Sequence, residues 1–166
     1  MSRLIHYSNK PLKKVWSVEQ EDPTSTSFTR KPEGLWVSVE GEDDWHEWCT
    51  SEEFRVELLA CATEVVLKPD AKILRLSTAS QLDQLESEYG VPDEVLKSSR
   101  ISYVSIQWER VAEKYQGIII APYMWSCRLD MMWYYAWDCA SGCIWDADAV
   151  AELRPIEQEP RIARTA

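Results

Sequence analysis

Length, composition and charge exclude several classes of protein. The chain has 166 residues, a mass of 19.3 kDa and 45% hydrophobic residues, which suits one folded domain and argues against global disorder. Its formal charge of -10 opposes long-range attraction to nucleic acid, although a local basic patch is compatible with it. No apolar run approaches the roughly 20 residues of a membrane helix, so we expect no membrane partner. We predict one domain over residues 1–155 and a polar tail over 156–166.

The five cysteines indicate a reducing compartment. Their number is odd, and their spacing fits no disulfide framework. The first seven residues do not resemble a signal peptide, because one arginine precedes a short apolar stretch that His6 interrupts. We therefore expect free thiols and a cytoplasmic location, in the protein's own cell or in the cytoplasm of a host.

The first half of the chain predicts short strands, a loop and one helix. Period-two alternation or a β-branched apolar run predicts strands over 3–7, 35–39, 62–67 and 72–76. The stretch 17–32 is rich in Ser, Thr, Glu and Pro, as is typical of a loop. Asp43 or Asp44 is suited to cap a helix that begins near Trp45.

The second half predicts three helices and three more strands. The predicted helices are 80–89, ended by Gly90, then 106–115, capped by Ser105, and finally 147–153. The predicted strands are 118–121, 131–137 and 142–145. Short strands interleaved with a few helices favour an α+β fold, with a mostly antiparallel, split sheet and helices flanking it.

Familiar catalytic motifs are missing from the sequence. The chain has two histidines, and His46 with Cys49 makes only half of a zinc site, so no metal is expected. It has no glycine-rich phosphate loop, no dinucleotide-binding fingerprint and no G-x-S-x-G turn. Grouping Ser38, His6 and Asp138 as a hydrolase triad rests on residue types alone, and coincidence explains it better.

Nine tryptophans are the most unusual feature of the composition. Core packing accounts for about half of them, and the others are available to line a groove. Trp36 on the strand 35–39 and Trp48 on the next helix are 12 residues apart. A helix folded back over its strand would make them two walls of a slot for a planar ring such as nicotinamide. The alternative is that both only pack the helix onto the sheet.

Three short runs resemble the first two motifs of the diphtheria-toxin and poly-ADP-ribose-polymerase branch of ADP-ribosyltransferases. These runs are His6-Tyr7-Ser8, Gly34-Leu35-Trp36-Val37-Ser38 and Trp48-Cys49. In that branch a strand-borne histidine hydrogen-bonds the NAD ribose, and the backbone of the next residue, commonly glycine, pairs with the nicotinamide amide. Two aromatic side chains, usually tyrosines, sandwich the nicotinamide ring.

The resemblance implies a role for each matching residue. His6 would contact the ribose, and the backbone of Tyr7, which replaces the usual glycine, would pair with the amide. Trp36 and Trp48 would form the two ring walls, with Trp45 as an alternative wall.

Further roles also rest on the resemblance. Ser38 would support the pocket from its strand. Arg128 and the pair Lys13-Lys14 are candidates for the NAD pyrophosphate, although a solvated surface charge is the commoner role of such residues.

The third motif is where the sequence departs most from this family. A late strand normally carries Glu, or in some members Asp or Gln, whereas Glu152 lies in a predicted helix. Asp138 is the preferred catalytic acid because it precedes the strand 142–145, with Ser141 and Asp146 as the other residues for that position. A turn-capping role explains Asp138 equally well.

The sequence therefore predicts an NAD-dependent ADP-ribosyltransferase, a glycosyltransferase of the small kind found in phages, mobile elements and toxin systems. NAD would be its substrate, and a carboxylate such as Asp138 would stabilise an oxocarbenium-like transition state. The acceptor would be a macromolecule, with protein and nucleic acid both open. The alternative from another class is a non-catalytic, acidic, tryptophan-rich interaction module that docks on a basic partner, as an inhibitor or antitoxin does.

Overall fold

A computed structural model describes residues 2–21, 30–92 and 103–157, which contain nine strands and four α-helices. The strands are β1 (Leu4–Ser8), β2 (Leu35–Val39), β3 (Cys61–Leu67), β4 (Ile73–Leu76), β5 (Gly90–Pro92), β6 (Val104–Ile106), β7 (Gly117–Ile120), β8 (Ser141–Ile144) and β9 (Val150–Ile156). The α-helices are α1 (Trp45–Ser51), α2 (Ala79–Tyr89), α3 (Trp108–Ala112) and α4 (Met132–Tyr135). Short 3-10 turns cover Val56–Leu59, Trp125–Cys127 and Ala147–Ala149.

Seven of the strands form one sheet in the order β4-β7-β8-β2-β1-β3-β9. Every neighbouring pair is antiparallel except β4 with β7, and β5 pairs with β6 in a separate two-stranded sheet. This mixture of helices with a mostly antiparallel sheet confirms the predicted α+β class. Among the described residues, no helix is long and apolar enough to cross a membrane.

The sheet opens locally between β1 and β2. Their ladder comprises Leu4 opposite Val39 and Ile5 opposite Ser38. On its other side β1 stays paired with β3 as far as Ser8, and β2 stays paired with β8 as far as Leu35. Each strand is therefore held by its outer neighbour while the two diverge from each other, which leaves a notch in the middle of the sheet.

The sheet also curls on itself. Only residues 68–72 link β3, near one edge, to β4, at the opposite edge. So short a connection spans less than 20 Å, roughly, at about 3.3 Å per residue, so the two edges must approach each other. The curl encloses a small apolar cluster formed by Leu4, Val37, Val65 and Ile119.

A larger core packs the helices against the other face of the sheet. Trp108, Trp133 and Trp137 are fully buried in it, together with side chains of α2 and of the strands β7 and β8. All four residues of β7 and all four of β8 are buried, because both faces of these strands are covered. The residue before β2 has to be glycine. The φ of Gly34 is 147°, and a Cβ there would lie 2.6 Å from the Ile144 carbonyl oxygen.

Several predicted elements match closely. β2 occupies the predicted residues 35–39, and α1 begins at Trp45 with Asp44 as its cap, whose carboxylate accepts from the Glu47 N–H. The helix predicted over 80–89 is α2, which Gly90 ends. The described parts of the predicted loop 17–32 contain no helix or strand, and residues 22–29 lie outside the described part.

The helix predicted over 106–115 is confirmed only at its centre, over Trp108–Ala112. Ile106 belongs to β6, where it lies opposite Gly90, so the helix α3 starts only at Trp108. Ser105, the predicted cap, is also in β6, and Gln107 takes the cap position without a side-chain hydrogen bond to the helix backbone. Pairing with β5 overrides the helical periodicity of this segment.

Two predictions near the C-terminus are wrong in type. Residues 131–137 were expected as a strand but fold as the short helix α4, because a brief apolar run has no periodicity that separates the two structures. Residues 147–153 were expected as a helix but form a 3-10 turn and then β9, which pairs along β3. Glu152 therefore lies on a strand, and β9 reaches Ile156, one residue past the predicted domain end.

Candidate functional site

A cavity of about 270 Å³ lies at the notch between β1 and β2. Strands β1, β2 and β8 form its floor, α1 and the 3-10 turn after it form one wall, and the segments before β2 and β8 form the other. Its lining residues are Ile5, His6, Tyr7, Lys31, Trp36, Val37, Ser38, Trp45, Leu58, Asp138, Cys139 and Ser141. Residues far apart in the sequence, including most of the predicted site, therefore meet at one place.

His6 bridges the notch. Its Nδ1 lies 2.8 Å from the backbone oxygen of Trp36, and because a carbonyl can only accept, Nδ1 carries the proton and donates. Backbone bonds of alternate residues face the same neighbouring strand, and the Arg3 carbonyl accepts from the Glu40 N–H on the β2 side. By this alternation the backbone of Tyr7 faces β2 at the level of Trp36, whose carbonyl is bonded to the imidazole of His6.

Two tryptophans line the cavity from different elements. Trp36 projects from β2 and packs edge-on against the buried Trp137, with ring centroids 4.9 Å apart. Trp45 is the first residue of α1, and its backbone N–H donates to Ser38 Oγ over 2.9 Å, which ties the helix to the strand. Trp48 is not among the lining residues. It stacks against Trp45, with ring centroids 5.0 Å apart and an angle of 15° between the ring planes. Trp45, the alternative wall, therefore faces the cavity, and Trp48 supports it from behind.

Asp138 is the carboxylate of the cavity, and two cations face it. Its oxygens lie 3.5 Å from Arg128 Nη2 and 3.9 Å from Lys31 Nζ. Burial raises the pKa of Asp138 above its ordinary value, and the two cations oppose that rise. Arg128 does not line the cavity itself but reaches it through this ion pair.

Lys31 is a site residue that the sequence did not reveal. Its ammonium lies 5.0 Å from the centroid of the Trp36 ring as well as close to Asp138. Burial lowers the pKa of Lys31, while the Asp138 carboxylate opposes that change. A single lysine in a predicted loop has no periodicity or motif, and only its nearness in sequence to Gly34 pointed toward the site.

Two buried serines meet on the cavity floor. Ser38 and Ser141 are direct partners in the ladder between β2 and β8, so their side chains share one face of the sheet. Ser141 Oγ donates to the Cys139 carbonyl over 3.1 Å, which closes the turn that carries Asp138 into β8. Burial raises the pKa of the Cys139 thiol to about 12, so this cysteine is not a thiolate nucleophile near neutral pH.

Other predicted site residues lie elsewhere. Asp146 follows the far end of β8, where it accepts from Gln116 Nε2 over 2.7 Å, and this hydrogen bond lowers its pKa. Lys14 places its ammonium 3.7 Å from the centroid of Trp16, and neither Lys13 nor Lys14 is among the lining residues.

Comparisons with models of protein families, with curated proteins and with solved structures found no significant match.

Proposed function

We propose that the chain is an NAD-dependent ADP-ribosyltransferase that modifies a macromolecular acceptor. The observation that supports this most is the meeting of His6, Tyr7, Trp36, Ser38 and Asp138 around one cavity at the notch. These are residues to which the resemblance assigned NAD binding and catalysis. A concave, mostly apolar site with a few convergent polar groups is also the usual form of a small-molecule site.

The cavity suits the nicotinamide end of NAD. Trp36 and Trp45 line the cavity with aromatic rings that suit a planar ring. His6 is held in one orientation by the Trp36 carbonyl, so its other ring nitrogen is positioned for a sugar hydroxyl. Two cations, Arg128 and Lys31, face one carboxylate, and the excess positive charge suits a diphosphate.

The transfer step breaks one bond and forms one. The bond between C1′ of the ribose and the nicotinamide nitrogen breaks, and its electron pair neutralises the departing ring. A nucleophile of the acceptor then bonds to C1′ and loses its proton to a base or to solvent. Asp138 is placed to stabilise the positive charge that develops on the sugar, in a site where burial strengthens such an interaction.

The test is release of nicotinamide from NAD by the purified chain, followed by chromatography, with NAD binding followed through tryptophan fluorescence. We expect saturable binding and slow release that His6→Ala abolishes while the thermal midpoint stays nearly unchanged. His46→Ala is the matched control, because His46 lines a neighbouring cavity and is not among the lining residues of this one. Absence of NAD binding, or full activity in His6→Ala, would overturn the proposal.

The second candidate function is the non-catalytic interaction module. The observation that favours it is that Asp138 is the acidic residue of the lining, without a glutamate beside it, and that two cations already neutralise it. A chain of this kind would bind a basic partner and leave NAD intact. The fluorescence titration with NAD separates the two proposals, since only the transferase requires a saturable change.

A further inference from the structure

Large apolar side chains are exposed in the segment 125–135, whose residue Arg128 is ion-paired with the cavity residue Asp138. Trp125, Leu129 and Tyr135 leave 55%, 66% and 42% of their surfaces exposed. The guanidinium carbon of Arg128 lies 5.7 Å from the Trp125 ring centroid and 5.1 Å from that of Tyr135, so it bridges the two rings. We call Trp125, Arg128, Leu129 and Tyr135 the docking face. Clustered exposure of large apolar side chains is typical of an interaction surface.

The docking face is joined to the cavity on two sides. Arg128 is ion-paired with Asp138, which lines the cavity. The Trp125 indole donates to Asp43 Oδ2 over 3.1 Å, and the backbone carbonyl of Asp43 accepts from Ala140, next to the cavity residue Ser141. A partner seated on the docking face would therefore lie at the cavity mouth.

Charge selects between the classes of partner. The stretch from position 40 to 57, which includes Asp43, carries eight carboxylates against one basic residue, Arg55, and the whole chain has a charge of -10. Acidic surroundings repel a nucleic-acid backbone and attract lysine and arginine.

We infer that the docking face binds a basic protein segment with an apolar side chain, and that this segment is the acceptor of the ADP-ribosyl group. The acceptor role rests on the proposed function. The apolar side chain packs on Trp125 and Leu129, lysines and arginines face the carboxylates around Asp43, and a nearby nucleophile of the segment reaches the cavity past Asp138.

The test measures binding without NAD. The probe is a short fluorescein-labelled peptide of lysine, arginine and leucine, and fluorescence anisotropy follows its binding to the full chain. Leu129→Asp removes an exposed apolar contact and adds a negative charge. We expect this variant to bind the probe about tenfold more weakly. General electrostatic attraction predicts the opposite, so equal or tighter binding by Leu129→Asp overturns the inference.

Trp16→Asp is the matched control. Trp16 is 67% exposed, and the adjacent Ser17 bonds to Asp146 beyond the far end of β8, away from the docking face. This variant adds the same charge and should bind the probe within about twofold of the wild type. A loss equal to that of Leu129→Asp would overturn the assignment of the docking face. The assignment would also be overturned if a single-stranded oligonucleotide bound to the full chain and Leu129→Asp abolished that binding.

Nicotinamide release by the same variants separates this inference from the proposed function. Leu129→Asp should release nicotinamide at the wild-type rate but transfer less label from NAD to the peptide. Peptide binding through Leu129 without any nicotinamide release would support the docking face and overturn the transferase. Nicotinamide release with no peptide binding would support the transferase and overturn the docking face.

Discussion

The tryptophans of the helical core and those of the cavity use the same side chain in different ways. In the core, Trp108, Trp133 and Trp145 are at most 3% exposed. Each of these three satisfies its indole N–H inside the protein: Trp108 donates to the Arg30 carbonyl, Trp133 to Glu86 Oε2 and Trp145 to the Tyr115 carbonyl. The indole is then an apolar body with one fixed polar contact, which suits it for a densely packed interior. The indole N–H of Trp137 is buried with no hydrogen-bond partner among the described residues.

At the cavity the ring faces matter instead. Trp36, Trp45 and Trp48 are only half-buried, and their main contacts are ring to ring: Trp36 against Trp137, and Trp45 against Trp48. The difference teaches that a tryptophan count alone does not indicate a binding site. What distinguishes Trp36 and Trp45 is that each still lines a cavity after packing is complete, with Trp48 packed behind Trp45.

The largest expected effect is the loss of stability when a tryptophan of the core is replaced. Trp133→Ala should lower the free energy of unfolding by about 3–5 kcal/mol, because it leaves a large cavity and removes the hydrogen bond to Glu86. Trp48→Ala should cost about 1 kcal/mol, since Trp48 is half-buried at the surface of α1. Urea unfolding measures both. Equal costs would show that the division of the tryptophans into two sets is wrong.

The next effect is on catalysis. Asp138→Ala should lower the rate of nicotinamide release by about 10²–10³, while NAD binding stays within a few-fold, because the carboxylate acts on charge that develops in the transition state. Asp138→Asn should be nearly as damaging, since it keeps the shape and removes the charge. Steady-state kinetics with a parallel binding titration separates the two quantities.

Asp146→Ala and Ser141→Ala are the controls for this prediction. Asp146 lies beyond the far end of β8, and Ser141 has a hydroxyl already bonded to the Cys139 carbonyl. If Asp146→Ala is inactive and Asp138→Ala active, the acid has been placed at the wrong end of the strand. Activity in all three variants would show that none of these residues is the catalytic acid.

A smaller effect distinguishes the cavity walls. Trp36→Ala and Trp45→Ala should each weaken nicotinamide binding by about 1–3 kcal/mol, through loss of stacking and buried area. Trp48→Ala should weaken it less, because Trp48 contacts Trp45 rather than the cavity. Protection of indole fluorescence from acrylamide by nicotinamide measures the contacts directly. A larger loss in Trp48→Ala than in Trp45→Ala would restore the wall that the sequence suggested.

The sequence predicted elements whose signal is local. Period-two alternation marks β2, and the carboxylate of Asp44 marks the start of α1. β9 was predicted as a helix because its type depends on the edge of β3, which only the assembled sheet provides.

The site was predictable to a similar extent. The resemblance singled out His6 and Trp36, but the notch that brings them together arises because two outer strands hold β1 and β2 apart. That is a tertiary property, and no residue spacing encodes it. Lys31 was missed for the same reason, since only the folded loop carries it to Asp138.

The smallest predicted effect compares the two aspartates that flank β8, and it concerns the pH dependence of stability. Burial raises the pKa of Asp138 in the folded chain, so the native state binds this proton more tightly than the unfolded state does. Its contribution to stability is therefore complete below the ordinary aspartate pKa and is lost as the pH rises through the raised value. Hydrogen bonds, chiefly from Gln116, lower the pKa of Asp146, so its contribution is present above the ordinary value and is lost as the pH falls through the lowered one.

Asparagine removes either titration. Measured by urea unfolding across acidic pH, Asp138→Asn should gain stability relative to the wild type as the pH rises, whereas Asp146→Asn should lose it. Lys31 and Arg128 limit the size of the first effect, because they stabilise the charged form of Asp138. Opposite changes of the two stability differences with pH would show that one end of β8 faces a desolvated cavity and the other end a hydrogen-bonded surface. Both variants losing stability relative to the wild type as the pH rises would mean that the two cations outweigh burial at Asp138. Asp138 would then be a charged structural partner of Arg128 and Lys31 rather than a destabilised carboxylate.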